Sequence, residues 1–510
     1  MAIADEKRMA IQQRIEAVSA LPVYRDRKLA LLTDLYQLTM MYGHYHSGDW
    51  DKQVVFDLFY RTNPCNNGYV ISAGLEQVVW YLYNLQFSSE DITYLQSLNM
   101  FSEEFLEKLR QFRFSGTLYA VQEGSLVFPN EPILRFEGSV FELQLIESAV
   151  LSFINHQSLI ATKAQRIVDA ARTDRRNPTA PVIEMGLRRA QNADASIFGA
   201  RAAYIGGCVG TSNVMAGQSF SIPVVGTQGH SWIQSFPSEL EAFRAYASAF
   251  PNHVALLVDT YDVVKSGIPN AIAVAAELKA EGKKLESIRI DSGDLAYLSK
   301  KAREMLDEAG LTDVGIIASS DLDEHTIREL ILQGAEITSW GVGTNLITSY
   351  DCPALGAVYK MTAQQEDGHL KPTIKVSENP AKVTNPGKKR VIRLYNKGYA
   401  SADLIVLDDE QLDRSEPLEL FDPIHTYKRK TLYQYEVEEM LKPIFVDGEL
   451  VYELPSLKEI RRHVANCMSH FPSEILRPVN PHIYHVDLSE SLWDLKQKLL
   501  HQWRPQAQQG

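Results

Sequence analysis

The chain has 510 residues, 45% hydrophobic and 23% charged, with a formal net charge of −13. This length can bury about two to four cores. The acidic balance argues against non-specific affinity for nucleic acid or an anionic membrane, yet it leaves room for a local cluster of cations around an anionic substrate.

The N-terminal sequence MAIADEKRMAIQQRIEAV lacks the apolar core of a signal peptide. No run approaches the roughly 18 uninterrupted apolar residues of a spanning helix. Four cysteines, Cys65, Cys208, Cys352 and Cys467, have neither metal nor redox spacing. A reduced, cytoplasmic protein is expected.

Residues 1–20 read as a helical or loosely ordered arm. Residues 31–45 have helical periodicity, with Thr33 or Asp34 as the cap. Residues 54–61 read as a strand, 75–85 and 102–112 as helices, the second capped by Ser102. Residues 115–140 alternate like a small antiparallel sheet. Residues 142–171 form a long helical pattern.

Seven short apolar runs follow, each ending in a polar, glycine-bearing loop: 181–189, 202–212, 222–232, 254–262, 286–295, 314–323 and 336–345. Helical signals separate most of them. This alternation predicts right-handed βαβ crossovers. An open doubly wound sheet gives the same local signal but concentrates function at one switch point. Polar exits after nearly every strand favour an irregular α/β barrel. Beyond residue 355 strands and turns return, so a second, β-rich α+β domain is expected from N-terminal and post-barrel segments. The expected division is 1–20 arm, 21–145 and 356–430 in the α+β domain, 146–355 in the barrel, 431–500 as a C-terminal region and 501–510 as a disordered tail.

The strand exits carry the chemistry. His230, in GTQGHSW, sits in a small-residue loop and can act as base or nucleophile. IRIDSGDL brings Arg289, Asp291 and Asp294 around a bend. The arginine offers a planar fork to phosphate or carboxylate, and the aspartates suit ribose hydroxyls, magnesium or simply a helix cap. Asp259 and Asp262 in DTYD suit the same metal or sugar. Arg188 and Arg189 stand at the first exit, where one can bind substrate. Ser319 and Ser320, with Gly341, Gly343 and Thr344, suit a phosphate cradle. Tyr36 suits either a core position or stacking on a flat ligand. The basic stretch from Lys371 to Arg393 reads equally as a cover over an anionic substrate or a solvated face.

The motifs TDLYQLTM, EMGLRRAQ, GTSNVMAG, GTQGHSW, DTYD, RIDSGDL, SSDLDE and GVGTN, collinear over residues 25–425, resemble nicotinate phosphoribosyltransferase. The resemblance implies coupling of nicotinate to 5-phosphoribosyl 1-diphosphate, giving nicotinate mononucleotide and diphosphate in NAD salvage. It further implies ATP as co-substrate, acting through a phosphorylated His230, and Mg2+ accompanying the phosphorylated substrates, with its direct ligands left open. By the same resemblance Arg289 and Asp291 lie beside base and ribose, Asp294 supports them and Arg188 meets a substrate anion. Ser320 and the 341–344 turn would hold the 5′-phosphate, and Tyr36 would stack on the pyridine ring across a homodimer interface. Ser212 stands where the nicotinamide-selective relative carries an aspartate, and Met185 where that relative carries a phenylalanine. A carboxylate at 212 would repel nicotinate, so serine favours the acid. Two other classes stay open: an aldolase- or isomerase-like phosphate-binding barrel, and an inactive pyridine-nucleotide-binding regulator.

Overall fold

The computed structural model describes residues 5–379 and 382–502. They fall into two compact units, one comprising Met1–Leu159 with Ala354–Gly510, the other Ile160–Pro353.

The second unit is a parallel α/β structure of six strands: β1 (Val182–Glu184), β2 (Gly210–Thr211), β3 (Val254–Leu257), β4 (Leu285–Ile290), β5 (Gly315–Ser320) and β6 (Ser339–Val342). Their hydrogen-bonded order is β2-β1-β6-β5-β4-β3, and every pairing is parallel. The last strand therefore pairs with the first, as barrel closure requires. One further parallel bridge, Thr211 to Val224, extends the β2 edge. The ring stays open between Val224 and β3. This is the irregular barrel that the strand–helix alternation predicts.

The opening has a local cause. The run expected as a strand over 222–232 contributes only that bridge, because Pro223 has no N–H to donate. Its carbonyl accepts from Thr211 N at 3.0 Å, and Val225 N returns a bond to Thr211 O at 2.9 Å. The chain then turns into the short helix His230–Gln234. The expected strand over 202–212 is likewise shorter, since 202–205 complete the helix Ala193–Ile205.

Strand side chains such as Val254, Leu256, Ile288, Ile290, Ile316 and Val342 are buried. Each contributes about 1.5–3 kcal/mol of transfer free energy. Crossover helices begin on side-chain caps at the loop tips: Asn192, Ser238, Asp294 and Asp323 each accept from a first-turn amide. At Gly267 a Cβ would stand 1.9 Å from Val258 O, so only glycine lets that turn approach the end of β3.

The first unit is α+β. Its seven-stranded sheet has the antiparallel core Val358–Glu366, Gln53–Phe59, Leu134–Ser139, Thr117–Val121 and Leu441–Val446. N-terminal and post-barrel segments thus share one sheet. Phe56 stacks on Tyr359 at 4.6 Å across the Gln53–Phe59/Val358–Glu366 pair. A four-stranded sheet joins Glu436–Glu439, Lys389–Asn396, Tyr399–Leu407 and Val486–Leu488. The N-terminal arm is an ordered helix, Asp5–Ser19, burying Ile11, Ile15 and Val18 on one face. Helix Leu35–Ser47 starts after Asp34, but Asp34 makes no side-chain cap and instead accepts from the Ser148 hydroxyl at 2.6 Å. Of the expected tail, residues 503–510 lie outside the described residues.

In the basic stretch Lys371, Lys375 and Lys382 are exposed, as a solvated face would be, whereas its second half departs from both expectations. Lys389 is buried against Asp57 at 2.8 Å, and Arg393 is buried against Asp403 at 2.6 Å. Lys388 and Arg390 pair with Glu137, Asp408 and Glu439. Lys389 and Arg393, four residues apart on one strand, share the face turned into the unit, where buried charge requires a partner.

Candidate active site

Four strand exits of the parallel unit converge on one cleft of about 190 Å³. β1 delivers Met185, Arg188 and Arg189, β4 delivers Arg289 and Asp291, β5 leads to Ser319, Ser320 and Asp321, and β6 leads to Gly341, Gly343 and Thr344. Parallel pairing makes this convergence unavoidable, because all C-terminal strand ends point the same way.

Arg289 is the organising cation. Its Nε donates to Ser319 Oγ at 2.7 Å, Nη1 to Thr227 Oγ1 at 3.1 Å and Nη2 to Asp291 Oδ1 at 2.9 Å. The Ser319 hydroxyl donates in turn to Asp291 Oδ1. Burial would raise the Asp291 carboxyl, but the Ser319 hydroxyl, the Arg289 guanidinium and His230 together hold it below the ordinary carboxylate range. The guanidinium is thus fixed in plane before any ligand arrives.

His230 opens its short helix with Nδ1 at 3.1 Å from Thr260 Oγ1 and Nε2 at 3.7 Å from Asp291 Oδ2. Its side chain is 40% exposed, so the ring faces solvent as well as Asp291. Asp259 lies beneath. Its Oδ2 accepts from Asp291 N at 3.0 Å and Ser292 Oγ at 2.6 Å, fixing the bend after β4. Its Oδ1 is buried without a hydrogen-bond partner.

Arg188 and Arg189 form an exposed 3₁₀ turn after β1, and neither has an acidic partner among the described residues. Beneath that turn Glu184, buried at the end of β1, accepts from Gly186 N and from the Thr211 hydroxyl. Burial raises its carboxyl, offset in part by those two donors. Opposite, Gly341 gives way to Met185: a Cβ there would stand 2.7 Å from Met185 Sδ.

The structure therefore draws Arg188, Arg289, Asp291, Ser319, Ser320, Gly341, Gly343 and Thr344 around one cleft, with His230 and Asp259 bonded to or facing its Asp291 wall. Three other expected residues stand apart from that lining. Asp294 caps helix Leu295–Glu308, accepting from Tyr297 N at 3.0 Å. Ser212 follows β2, half-buried, its amide donating to Glu184 O at 2.9 Å. Tyr36 belongs to the first unit, 49% exposed on the first turn of its helix. Thr227, Thr260 and Glu184 are site residues that sequence reasoning passed over, while Arg189, weighed there beside Arg188, lines the cleft with it. Both threonines stood inside motifs already singled out, and only the fold shows which side chain each one meets.

A parallel barrel whose exits gather free arginines, hydroxyls and a glycine turn around one cleft defines a phosphate-handling α/β-barrel enzyme. Family comparison narrows the class. Residues 181–399 match the nicotinate phosphoribosyltransferase (NAPRTase) family, residues 31–155 its N-terminal domain and residues 388–496 its C-terminal domain. The chain is 46% identical over 483 residues to nicotinate phosphoribosyltransferase of Bacillus subtilis, covering 94% of this chain and 96% of that protein. It is 36% identical to the Caenorhabditis elegans enzyme of the same name, covering 94% of each. The crystal structure of human nicotinic acid phosphoribosyltransferase superposes with a TM-score of 0.82 at 30% identity, over 92% of this chain and 99% of that one. The chain belongs to the nicotinate phosphoribosyltransferase family. No described helix is long and apolar enough to cross a membrane.

Proposed function

We propose that the protein couples nicotinate to 5-phosphoribosyl 1-diphosphate, releasing nicotinate mononucleotide and diphosphate, and that ATP hydrolysis through His230 accompanies the reaction. Family membership supports the core reaction. The single observation that carries the site assignment is the convergence of Arg188, Arg289 and the Gly341–Thr344 turn on one cleft beside His230.

The chemistry follows from those groups. The ribose C1–O bond to diphosphate breaks, and the pyridine nitrogen forms the new bond to C1. No protein nucleophile is needed toward the sugar; the protein aligns the reactants and stabilises the separating charge. Ser320 and the Gly341–Thr344 turn bind the 5′-phosphate, with Ser319 and Arg289 holding the neighbouring wall. Arg188, unpaired by protein acids, takes a substrate anion. Asp291 faces the ribose, and Asp259 and Asp294 support its bend. Tyr36 stacks on the pyridine ring from a second copy of the chain in a homodimer. The uncharged Ser212 favours the carboxylate of nicotinate over the amide of nicotinamide.

The Thr260 hydroxyl occupies His230 Nδ1, leaving Nε2 as the phosphoryl acceptor. In that step the terminal P–O bond of ATP breaks, an N–P bond forms at Nε2 and ADP departs; water later returns the imidazole and inorganic phosphate. The residues fit Mg2+ as well. Asp259 has an unpartnered carboxylate oxygen, a hard donor suited to that ion. It would hold the ion together with substrate phosphates, and the ion would neutralise diphosphate charge. None of the four cysteines forms a disulfide among the described residues, which supports a reducing, cytoplasmic setting.

The test is diphosphate release from nicotinate and the activated ribose, measured with and without ATP. Release requiring both substrates and rising with ATP supports the assignment. Absence of release under both conditions overturns it, and release insensitive to ATP removes the coupling alone.

A further inference from the structure

A second cavity, of about 150 Å³, lies wholly within the first unit. That volume matches cavities that accept a benzene-sized ring. Much of its wall is apolar, Phe59 and Leu488 included, yet two lysines reach it.

The two cations are not equivalent. Lys389 Nζ is balanced by Asp57 at 2.8 Å. Lys496 Nζ instead donates to Asn385 Oδ1 at 2.8 Å, a neutral acceptor, and forms no ion pair among the described residues. Burial, and then the nearby Lys389 charge, push the Lys496 ammonium down to about 8. An ammonium buried in a recess of mixed polar and apolar lining without counter-charge is unfavourable unless something anionic joins it. The acidic group in the wall, Asp57, gives its Oδ2 to Lys389, leaves its Oδ1 without a hydrogen-bond partner and forms no ion pair with Lys496.

We propose that this cavity is a binding site for a small monocarboxylate with a flat apolar body, its carboxylate paired with Lys496. The ring-sized volume and apolar wall select the body, and the single uncompensated cation selects one negative charge. A phosphate monoester, with about two charges at neutral pH, is a poorer match to one uncompensated lysine beside the Asp57 carboxylate. The site is independent of the barrel chemistry, since no residue of the parallel unit lines it.

Benzoate is the probe, because it lacks the ring nitrogen that the proposed reaction requires. Calorimetric titration of the full-length protein should show saturable benzoate binding that Arg188→Ala retains. Lys496→Gln should weaken it at least about tenfold, as expected for loss of a charge-assisted contact, while its thermal melt stays cooperative. If Lys496→Gln does not fold, Val383→Phe, which fills the cavity from a loop, should abolish the same binding. Wild-type protein that binds no benzoate overturns the proposal. So does full affinity in a folded Lys496→Gln, or in Val383→Phe where that variant is the one used. Binding lost in Arg188→Ala but kept in Lys496→Gln assigns benzoate to the barrel mouth and also overturns it.

Discussion

Asp291 divides its two oxygens between two partners: Oδ1 accepts from Arg289 Nη2 at 2.9 Å, while Oδ2 stands 3.7 Å from His230 Nε2. One carboxylate thus links the fixed guanidinium to the imidazole. Since Nδ1 of that imidazole is held by Thr260, the proposed phosphoryl transfer falls to Nε2. His230→Ala should keep the fold and lose ATP-dependent labelling. Exposure to γ-labelled ATP followed by acid treatment checks this, since phosphohistidine is acid-labile; equal incorporation in the variant would reject the assignment.

Arg289→Lys keeps the positive charge and loses the planar fork that binds Ser319, Thr227 and Asp291 together. The expected result is a fall of about 10²-fold in kcat/KM, the scale of a misplaced reacting group, with a cooperative melt. Steady-state kinetics beside thermal unfolding separates this from simple loss of structure.

Gly341→Ala should impair the cleft through one neighbour. Its new Cβ would press on Met185 Sδ, which lies 2.7 Å away. We expect a raised KM for the activated ribose, partly restored by adding Met185→Ala. A double-mutant cycle measures the coupling, and strict additivity would show that the contact is not the cause.

Ser212→Asp places a carboxylate after β2, where the backbone is tied to Glu184. Like-charge repulsion should lower kcat/KM for nicotinate by about tenfold or more while sparing nicotinamide. Comparing the two pyridines checks it; an unchanged ratio removes the charge argument.

Asp487, on the Val486–Leu488 strand, is pushed up to about 7 by burial and by the nearby charge of Asp422. A folded-state value above the unfolded one means the native state binds the extra proton. Stability therefore falls as pH rises from the ordinary carboxylate value to about 7. Asp487→Asn should raise Tm at pH 8 and change it little at pH 4. Thermal melts at both values check the sign.

Much of this site was legible because strand exits write their chemistry locally. Runs such as IRIDSGDL and EITSWGVGTN end at the residues that line the cleft, and parallel pairing brings those ends together. Asp294 shows the limit. An aspartate before a helix carries the same local signal whether it caps or binds, and here it caps. Lys389 and Arg393 show another limit. Their charges read as a surface stretch, but the acids that bury them, Asp57 and Asp403, come from other strands. Thr227 and Thr260 were hidden for the same reason, since their partners are distant in sequence. The barrel was readable, whereas its opening depended on Pro223 leaving only one bridge at Val224.

That unclosed seam has a mechanical consequence. The segment Gly226–Gly229 leads to His230 beyond the final ladder bond, and the Arg289 side chain on β4 holds it at Thr227 through a side-chain bond rather than a ladder bond. Under the proposed phosphorylation of His230, a dianion gained or lost by the imidazole can shift this segment without breaking an interstrand amide contact. The barrel's rigidity and the loop's freedom to travel are thereby kept on separate stretches of backbone.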